Sequence, residues 1–162
     1  TRAGMLELTD EVQLTKLLSG VGFRVSDIRL VTPINQIKEV LICPEMTTVP
    51  RTQSWVKGIA NVRGTLLTIV DLPEFFGSEP VYIDNAARVV VMNVEGLSTG
   101  LLVNEAFGLR HFDEEQEKQD IAGLDDPVLM NSREAFLRDN VLWGVFDMNI
   151  LAQNPAFMRV AA

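Results

Sequence analysis

The chain has 162 residues, of which 47% are apolar and 22% are charged, so it can form one globular domain or two small subdomains. Its net charge of −8 argues against general binding to nucleic-acid phosphates, and no apolar run reaches the ~18–20 residues that span a membrane. A single cysteine, Cys43, excludes an internal disulfide, and we see no secretory signal at the start. We therefore expect a cytoplasmic protein.

The first elements change from a helical to a strand-like period. In LELTDEVQLTKLL the leucines recur at helical spacing, which predicts a short amphipathic helix ending near Ser19-Gly20 and an N-terminal extension over residues 1–19. GVGFRV and IRLVTP then read as two strands joined by a tight turn at Ser26-Asp27. INQIKEVLI follows as an apolar-anchored segment; its expected anchors are Ile34, Ile37, Val40 and Ile42.

A helix, a strand and a second helix are predicted next. SWVKGIAN reads as a short helix capped by Ser54, and TLLTIV as a well-buried strand. DLPEFF then begins a helix, with Asp71 as its N-cap, Pro73 in the first turn and Glu74 three residues after the cap.

The second half repeats this plan. ARVVVMNV, STGLLVNE and FGLRHF are predicted strands, DEEQEKQD a solvated loop or helix start, and SREAFLRDN a polar bridge. NVLWGVFDMNIL matches TLLTIVDLPEFF, with Asp147 in the place of Asp71. We infer an internal duplication over residues 20–80 and 86–153, with 154–162 as a C-terminal tail. Many short strands favour an all-β fold with short helices, built as two small barrels that pack together.

The sequence forms no catalytic or metal-binding pattern. The single histidine, His111, has no second histidine or cysteine pair with which to bind zinc. As a nucleophile, Cys43 would need a base, and His111 is the only imidazole in the sequence. GIANVRGT lacks the lysine of a phosphate loop, and Asp71 and Asp147 are better explained as helix caps than as paired acids. The sequence therefore predicts no enzyme activity, no metal and no cofactor.

WVKGIANVRGTLLTIVDLPEFFG resembles the CheW-like family of chemosensory coupling proteins. The matching parts are Val56-Lys57-Gly58, the segment Ile59 to Gly64, an apolar strand, and Val70-Asp71-Leu72. The upstream INQIKEVL and the later TGLLVNEAFGL also fit, so the resemblance covers about residues 20–153. Asn104 in place of aspartate, Val62 in place of leucine, Trp143 and the extra N-terminal helix indicate a divergent member, such as one from a pilus-linked (twitching) array.

The resemblance implies two SH3-like five-stranded barrels that share a core and can exchange strands, and it implies no reaction. It implies an adaptor that couples the cytoplasmic tips of methyl-accepting chemoreceptors to the regulatory domain of a CheA-like histidine kinase. Such a protein is recruited to receptor arrays at the inner membrane without entering the bilayer. It binds no nucleic acid and can associate weakly with itself.

The expected partner-binding residues surround a groove between the barrels. Arg63 and Glu39 are predicted to form an ion pair there that aims the guanidinium at a partner. Gly58 and Asn61 are also expected at this surface, where glycines at 58 and 64 would let the chain turn tightly on either side of Asn61 and Arg63. Three aliphatic residues, Ile37, Val40 and Val103, are candidates for the groove lining, with plain core membership as the alternative.

Two other functions are compatible with the sequence. One is a small-ligand-sensing or other protein-interaction barrel that has no role in kinase coupling. The other is a nucleic-acid-binding barrel, which requires a basic, aromatic-studded face and is opposed by the net charge of −8.

Overall fold

A computed structural model describes residues 17–115, 117–120, 126–129 and 132–161 of the chain, which are mostly β-structure. In chain order the strands are β1 (Leu17–Val25), β2 (Ile28–Pro33), β3 (Ile37–Ile42), β4 (Val56–Val62), β5 (Thr65–Asp71), β6 (Arg88–Met92), β7 (Thr99–Val103), β8 (Glu105–Asp113), β9 (Lys118–Gln119), β10 (Ser132–Arg138) and β11 (Val141–Phe146). A 3-10 turn (Ile34–Gln36) and the helices α1 (Leu72–Phe75), α2 (Met148–Ala152) and α3 (Pro155–Ala161) complete the described elements.

The strands form two sheets that exchange segments between the halves of the chain. The first sheet has the order β8-β1-β2-β11-β10-β9, and the second has the order β3-β6-β7-β5-β4. The pairs β2–β11 and β5–β7 are parallel, and the other pairs are antiparallel. Because β3 to β7 are contiguous and the first sheet takes strands from both ends, neither sheet coincides with residues 20–80 or 86–153.

The main core lies between the sheets, and each sheet also encloses a cluster of its own. The apolar run of β6, RVVVM, is continuous because both faces of the strand are buried. Val90 and Met92 face the shared core, whereas Val89 and Val91 face the interior of the second barrel. A strand buried on both faces shows no polar alternation. The cluster inside the first barrel consists of Val31, Phe112, Phe136 and Trp143.

Side chains close each sheet into a barrel. In the first, Phe112 of β8 stacks on Phe136 of β10 with ring centroids 5.2 Å apart. Arg138 of β10 donates to the His111 carbonyl oxygen at 2.6 Å and binds both carboxylate oxygens of Glu117 at 2.8 and 2.9 Å. These contacts join strands from the two ends of the first sheet.

The helix starts predicted at the two aspartates are confirmed. The Asp71 Oδ1 atom accepts the Glu74 N–H at 2.9 Å, which caps α1, and Asp147 Oδ1 accepts the Asn149 N–H at 2.8 Å, which caps α2. Each side chain satisfies a backbone donor that has no partner within its helix.

The predicted C-terminal tail contains a packed helix. In α3, Phe157 is fully buried in the shared core, and the Ala161 carbonyl oxygen accepts the Thr99 hydroxyl at 3.0 Å. Asn154 caps α3 by accepting the Ala156 N–H at 2.9 Å, and Pro155 follows it. The Asn-Pro pair is thus a helix-start signal within the predicted tail.

The predicted helix over Ser54–Asn61 is wrong, because most of this segment is strand β4. Its burial alternates: Val56, Gly58 and Ala60 point inward, whereas Lys57 and Asn61 reach solvent to differing degrees. Alternation with a period of two is that of a strand with one face on a core.

Two further segments differ from expectation. SREAFLRDN is not a polar bridge, since most of it is β10, with Ala135 and Phe136 fully buried. At the N-terminus, Leu17 to Ser19 begin β1 instead of ending a helix, and the remainder of the predicted helix lies outside the described residues. Between the predicted strands at Ser26-Asp27 the tight turn is confirmed, with Ser26 at φ 55°.

Candidate partner-binding surface

A two-residue hairpin turn presents Arg63 to solvent. Val62 of β4 pairs with Thr65 of β5, so Arg63 and Gly64 form the turn, with φ values of 51° and 85°. Two successive positive φ angles define the turn type that matches the twist of the flanking strands. The Asn61 side chain fixes the turn, because its Oδ1 atom accepts the Gly64 N–H at 3.0 Å.

The predicted ion pair between Arg63 and Glu39 is present. The Arg63 Nη2 atom contacts Glu39 Oε2, although 67% of the Arg63 side chain and 35% of the Glu39 side chain remain exposed. A pair this exposed contributes about 0–1 kcal/mol to stability. Its main effect is geometric, because it holds a guanidinium whose other N–H groups face solvent.

The Glu39–Arg63 pair lies at the closure of the second barrel. Glu39 belongs to β3 and Arg63 follows β4, and these two strands are the opposite edges of the five-stranded sheet. A short bridge supports the same closure, with Thr47 and Ile59 exchanging backbone hydrogen bonds of 2.9 and 2.8 Å. A small hollow of about 180 Å³ opens beside Glu39 and Arg63.

Gly58 supports this closure by its small size instead of by a turn. A Cβ atom at position 58 would lie 2.5 Å from the Thr47 carbonyl oxygen, closer than any real contact of this kind. The expectation that Gly58 lets the chain turn is therefore wrong, because it lies within β4 where the backbone of residue 47 approaches closely.

The aliphatic candidates divide between surface and core. Register pairs Val40 with Val90 on the face of β3 that borders the shared core, and Val40 is 37% exposed. Ile37 is half-buried against the same core. Val103 is fully buried, so the prediction that it contacts a partner is wrong and the alternative of core membership holds.

Two exposed aliphatic residues extend the candidate surface beyond the prediction. Ile42, 75% exposed, continues the line of Val40 along β3. Leu66, 61% exposed, lies beside Asn61 across the β4–β5 ladder and borders an open hollow of about 910 Å³ formed with Met46 and Ile59. The sequence pattern predicts an apolar anchor at Ile42 and a buried strand around Leu66, and the exposure of both side chains differs from that prediction.

Glu39 and Val40 point to opposite faces of β3. Glu39 pairs with Val91, which faces the interior of the second barrel, whereas Val40 pairs with Val90 on the shared-core side. The ion pair and the aliphatic line therefore flank one edge strand instead of lining a single wall. A partner that covers this edge would meet both.

No catalytic arrangement accompanies this surface in the described part of the chain. Burial raises the pKa of the Cys43 thiol, which keeps it protonated at neutral pH. Burial also raises the pKa of Asp71, whose two oxygens accept the Glu74 and Val81 N–H groups. His111 Nδ1 lies 2.7 Å from the Ser19 hydroxyl.

Neither a candidate metal-binding group nor a membrane-spanning helix occurs in the described ranges. They contain no group of three or more His, Cys, Asp or Glu side chains placed to hold a metal ion. No helix in those ranges has the length and apolar character needed to cross a bilayer.

Comparison with known proteins identifies relatives over most of the chain. The CheW-like domain model matches residues 19–155. PilI of Pseudomonas aeruginosa is 37% identical over 143 residues, which is 88% of this chain and 80% of PilI. Chemotaxis protein CheW of Thermotoga maritima is 25% identical over 114 residues, covering 69% of this chain and 72% of that protein.

The fold is also that of a solved relative. The crystal structure of the scaffolding protein TtCheW from Thermoanaerobacter tengcongensis matches with a TM-score of 0.73 at 19% identity, covering 87% of this chain and 96% of that one. The predicted all-β fold with two SH3-like subdomains is thereby confirmed. The chain belongs to the CheW-like family of non-enzymatic chemosensory adaptor proteins.

Proposed function

We propose that this protein couples the cytoplasmic tips of chemoreceptors to the regulatory domain of a CheA-type histidine kinase in a pilus-linked array. The observation that carries the proposal is Arg63, a solvent-facing cation fixed on a hairpin and held by Glu39 beside the exposed aliphatics of β3. The similarity to PilI favours the pilus-linked setting. A cytoplasmic location next to the inner membrane follows from these partners.

The receptor tip is a helical hairpin, and the two sides of β3 offer it different contacts. Val40 and Ile42 supply apolar contact, and Arg63 supplies a planar cation that binds a carboxylate through two parallel hydrogen bonds. Because the turn is already ordered by Asn61, binding orders few additional groups, which favours affinity.

A separate face remains for the kinase. Leu66, Ile59 and Met46 border the open hollow on the outer face of β4 and β5. An exposed apolar side chain at the edge of a concave surface suits docking of another barrel domain. Two faces on one barrel would let the adaptor hold receptor and kinase together.

The test is co-sedimentation with receptor signalling tips and with kinase. Arg63→Ala should lower receptor co-sedimentation while leaving the fold intact. Arg51→Ala is the matched control, since Arg51 is also exposed and has a φ of 61°, close to the 51° of Arg63. Unchanged receptor binding by the Arg63 variant, or equal loss in both variants, would contradict the proposed contact.

A charge exchange separates the ion pair from the outward cation. The double variant Glu39→Arg with Arg63→Glu keeps a pair between the same positions but reverses the charge on the hairpin. If the guanidinium on the turn recognises the receptor, binding stays low in the double variant. Full recovery would show that the pair acts by bracing the barrel alone.

A further inference from the structure

The interior side of the first barrel carries two arginines that share the same two aromatic rings. The Arg29 guanidinium carbon lies 4.6 Å from the Phe107 ring centroid and 5.5 Å from that of Trp143. The Arg110 guanidinium carbon lies 6.0 and 5.7 Å from the same two centroids. We name these four residues the arginine–aromatic cluster.

The backbone leaves room for this cluster. A Cβ atom at position 22 would lie 2.9 Å from the Trp143 ring and 3.2 Å from the Arg110 side chain. Gly22 of β1 therefore allows the indole and the arginine stem to pack over the strand. Trp143 in the last strand, which sets this chain apart from the family pattern, is thus a packed member of the arginine–aromatic cluster.

Both cations lack an anionic partner within the described residues. Other arginines of the first barrel are neutralised, Arg24 by Glu105 at 3.2 Å and Arg138 by Glu117 at 2.8 Å. Neither Arg29 nor Arg110 has such a contact in the described ranges, and the Arg110 Nε atom is buried without an acceptor. Two like charges over shared rings repel, so a ligand with carboxylates would be favoured here.

Within the described residues β8 has a strand partner on one side only, and the contacts that close the barrel against it involve His111 and Phe112, towards its end. β8 is an end strand of the first sheet, and its residue Leu109 is 53% exposed beside Arg110. An unpaired strand edge accepts an extended peptide through its backbone groups. Backbone pairing would place a bound segment next to the two guanidinium groups.

The spacing of the cations suits such a segment. The two distances to the Phe107 centroid together limit the separation of the guanidinium carbons to about 11 Å. Side chains two residues apart on one face of an extended peptide are ~6.8 Å apart, and the length of glutamate side chains covers the remainder. One acidic residue can therefore reach each arginine.

We propose that the arginine–aromatic cluster and the edge of β8 bind an extended acidic segment of a protein partner, with carboxylates on Arg29 and Arg110. The site lies on the first barrel, whereas the proposed receptor and kinase faces lie on the second. It therefore adds a third contact to the adaptor and does not depend on the other two.

The probe is a fluorescein-labelled hexaglutamate peptide, with hexaglutamine as the uncharged comparison, followed by fluorescence anisotropy. Replacing two charge-assisted contacts in Arg29→Gln/Arg110→Gln should weaken hexaglutamate binding at least about tenfold. The matched control Arg51→Gln/Arg159→Gln removes two exposed arginines elsewhere and should leave binding unchanged. Equal losses in both double variants would reduce the effect to net charge and overturn the proposal.

Two further measurements keep the result specific. Phe107→Leu retains both charges but removes a ring that positions them, so it should also weaken binding. In a Trp55→Phe background, hexaglutamate should shift the emission of Trp143. Binding of pyrophosphate at the two arginines without binding of hexaglutamate would mark a phosphate site and overturn the peptide proposal.

The variants also separate this inference from the proposed coupling function. Arg29→Gln/Arg110→Gln should still co-sediment with receptor and kinase. If it fails to bind hexaglutamate but keeps both partners, the two proposals stand together. If wild-type protein ignores hexaglutamate while coupling persists, the acidic-segment proposal alone is wrong.

Discussion

Phe157 should be among the most destabilising positions to truncate, although it lies in a segment that the sequence marked as a tail. Its side chain is fully buried in the core between the two sheets. The ring meets Phe75 edge to face with centroids 5.6 Å apart, and Phe75 in turn meets Trp55 at 4.8 Å. Phe157→Ala therefore removes one member of a connected aromatic group.

The expected cost follows from these contacts. Replacing a fully buried phenylalanine with alanine lowers the free energy of unfolding by about 3–5 kcal/mol, of which an aromatic pair accounts for about 0.5–1.5. With a urea dependence of about 2 kcal/mol per molar, the unfolding midpoint should fall by about 1.5–2.5 M. Total stability of a domain is about 5–15 kcal/mol, so this loss removes a large fraction of it.

Urea unfolding followed by far-ultraviolet circular dichroism measures this directly. Met158→Ala is the matched control, because Met158 is the next residue of α3 and is 37% exposed. The control should lose less than about 1 kcal/mol. A loss of that small size in Phe157→Ala would show that α3 does not pack on the core in solution, and the reasoning would fail.

Two further predictions concern the closure of the barrels. Hydrogen bonds from Arg138 hold the pKa of Glu117 below its usual 4.5 in the folded protein. Wild-type protein should therefore lose the stabilisation from this pair as pH falls below that value, whereas Glu117→Gln has no carboxyl group at this position and should not show this loss. Urea unfolding at several pH values tests this. Gly58→Ala should lower the unfolding free energy by about 1–3 kcal/mol, because its Cβ atom meets the Thr47 carbonyl oxygen, as thermal unfolding would show.

Each of these has an outcome that contradicts it. For Glu117, the folded pKa is depressed, so the stability difference between wild type and Glu117→Gln must shrink towards acid; a difference independent of pH would exclude the mechanism. For Gly58, the matched substitution is Gly96→Ala, where no atom lies within 4 Å of the added Cβ. Gly96 has a φ of 85°, so the loss of unfolding free energy in Gly96→Ala reports the strain of that backbone conformation alone. Equal costs at the two positions would refute the close-approach argument.

Local rules predicted the parts of the site that depend on neighbours in sequence. The caps at Asp71 and Asp147 and the turn at Ser26-Asp27 need only a few adjacent residues, so the chain itself carries the signal. The turn at Ser26 also has a long-range contact that no local rule predicts, because the Asn104 Oδ1 atom accepts the Ser26 N–H at 2.7 Å. An aspartate, as the family pattern has it, would offer the same acceptor, so this departure leaves the turn intact.

The misread elements depend on contacts between distant parts of the chain. In β4 the inward residues include Gly58 and Ala60, which carry little hydrophobic signal, so the outward Ile59 suggested a helical period instead. Ile42 and Leu66 are apolar yet exposed, because sheet order, and not strand pattern, decides which face is covered. Their exposure is what marks them as candidate contacts.

The order of strands also sets an order of assembly during synthesis. Residues 37–103 contain every strand of the second sheet, so this barrel can pair its strands as soon as that stretch has left the ribosome. β1 and β2 emerge earlier and pair with each other, but β1 must wait for β8, and β2 must wait for β11, which begins more than a hundred residues after β2 begins. The parallel pairing of β2 with β11 thus makes the first barrel the late, slow-forming unit, and until β11 arrives the unpaired edge of β2 is open to chaperones or to mispairing.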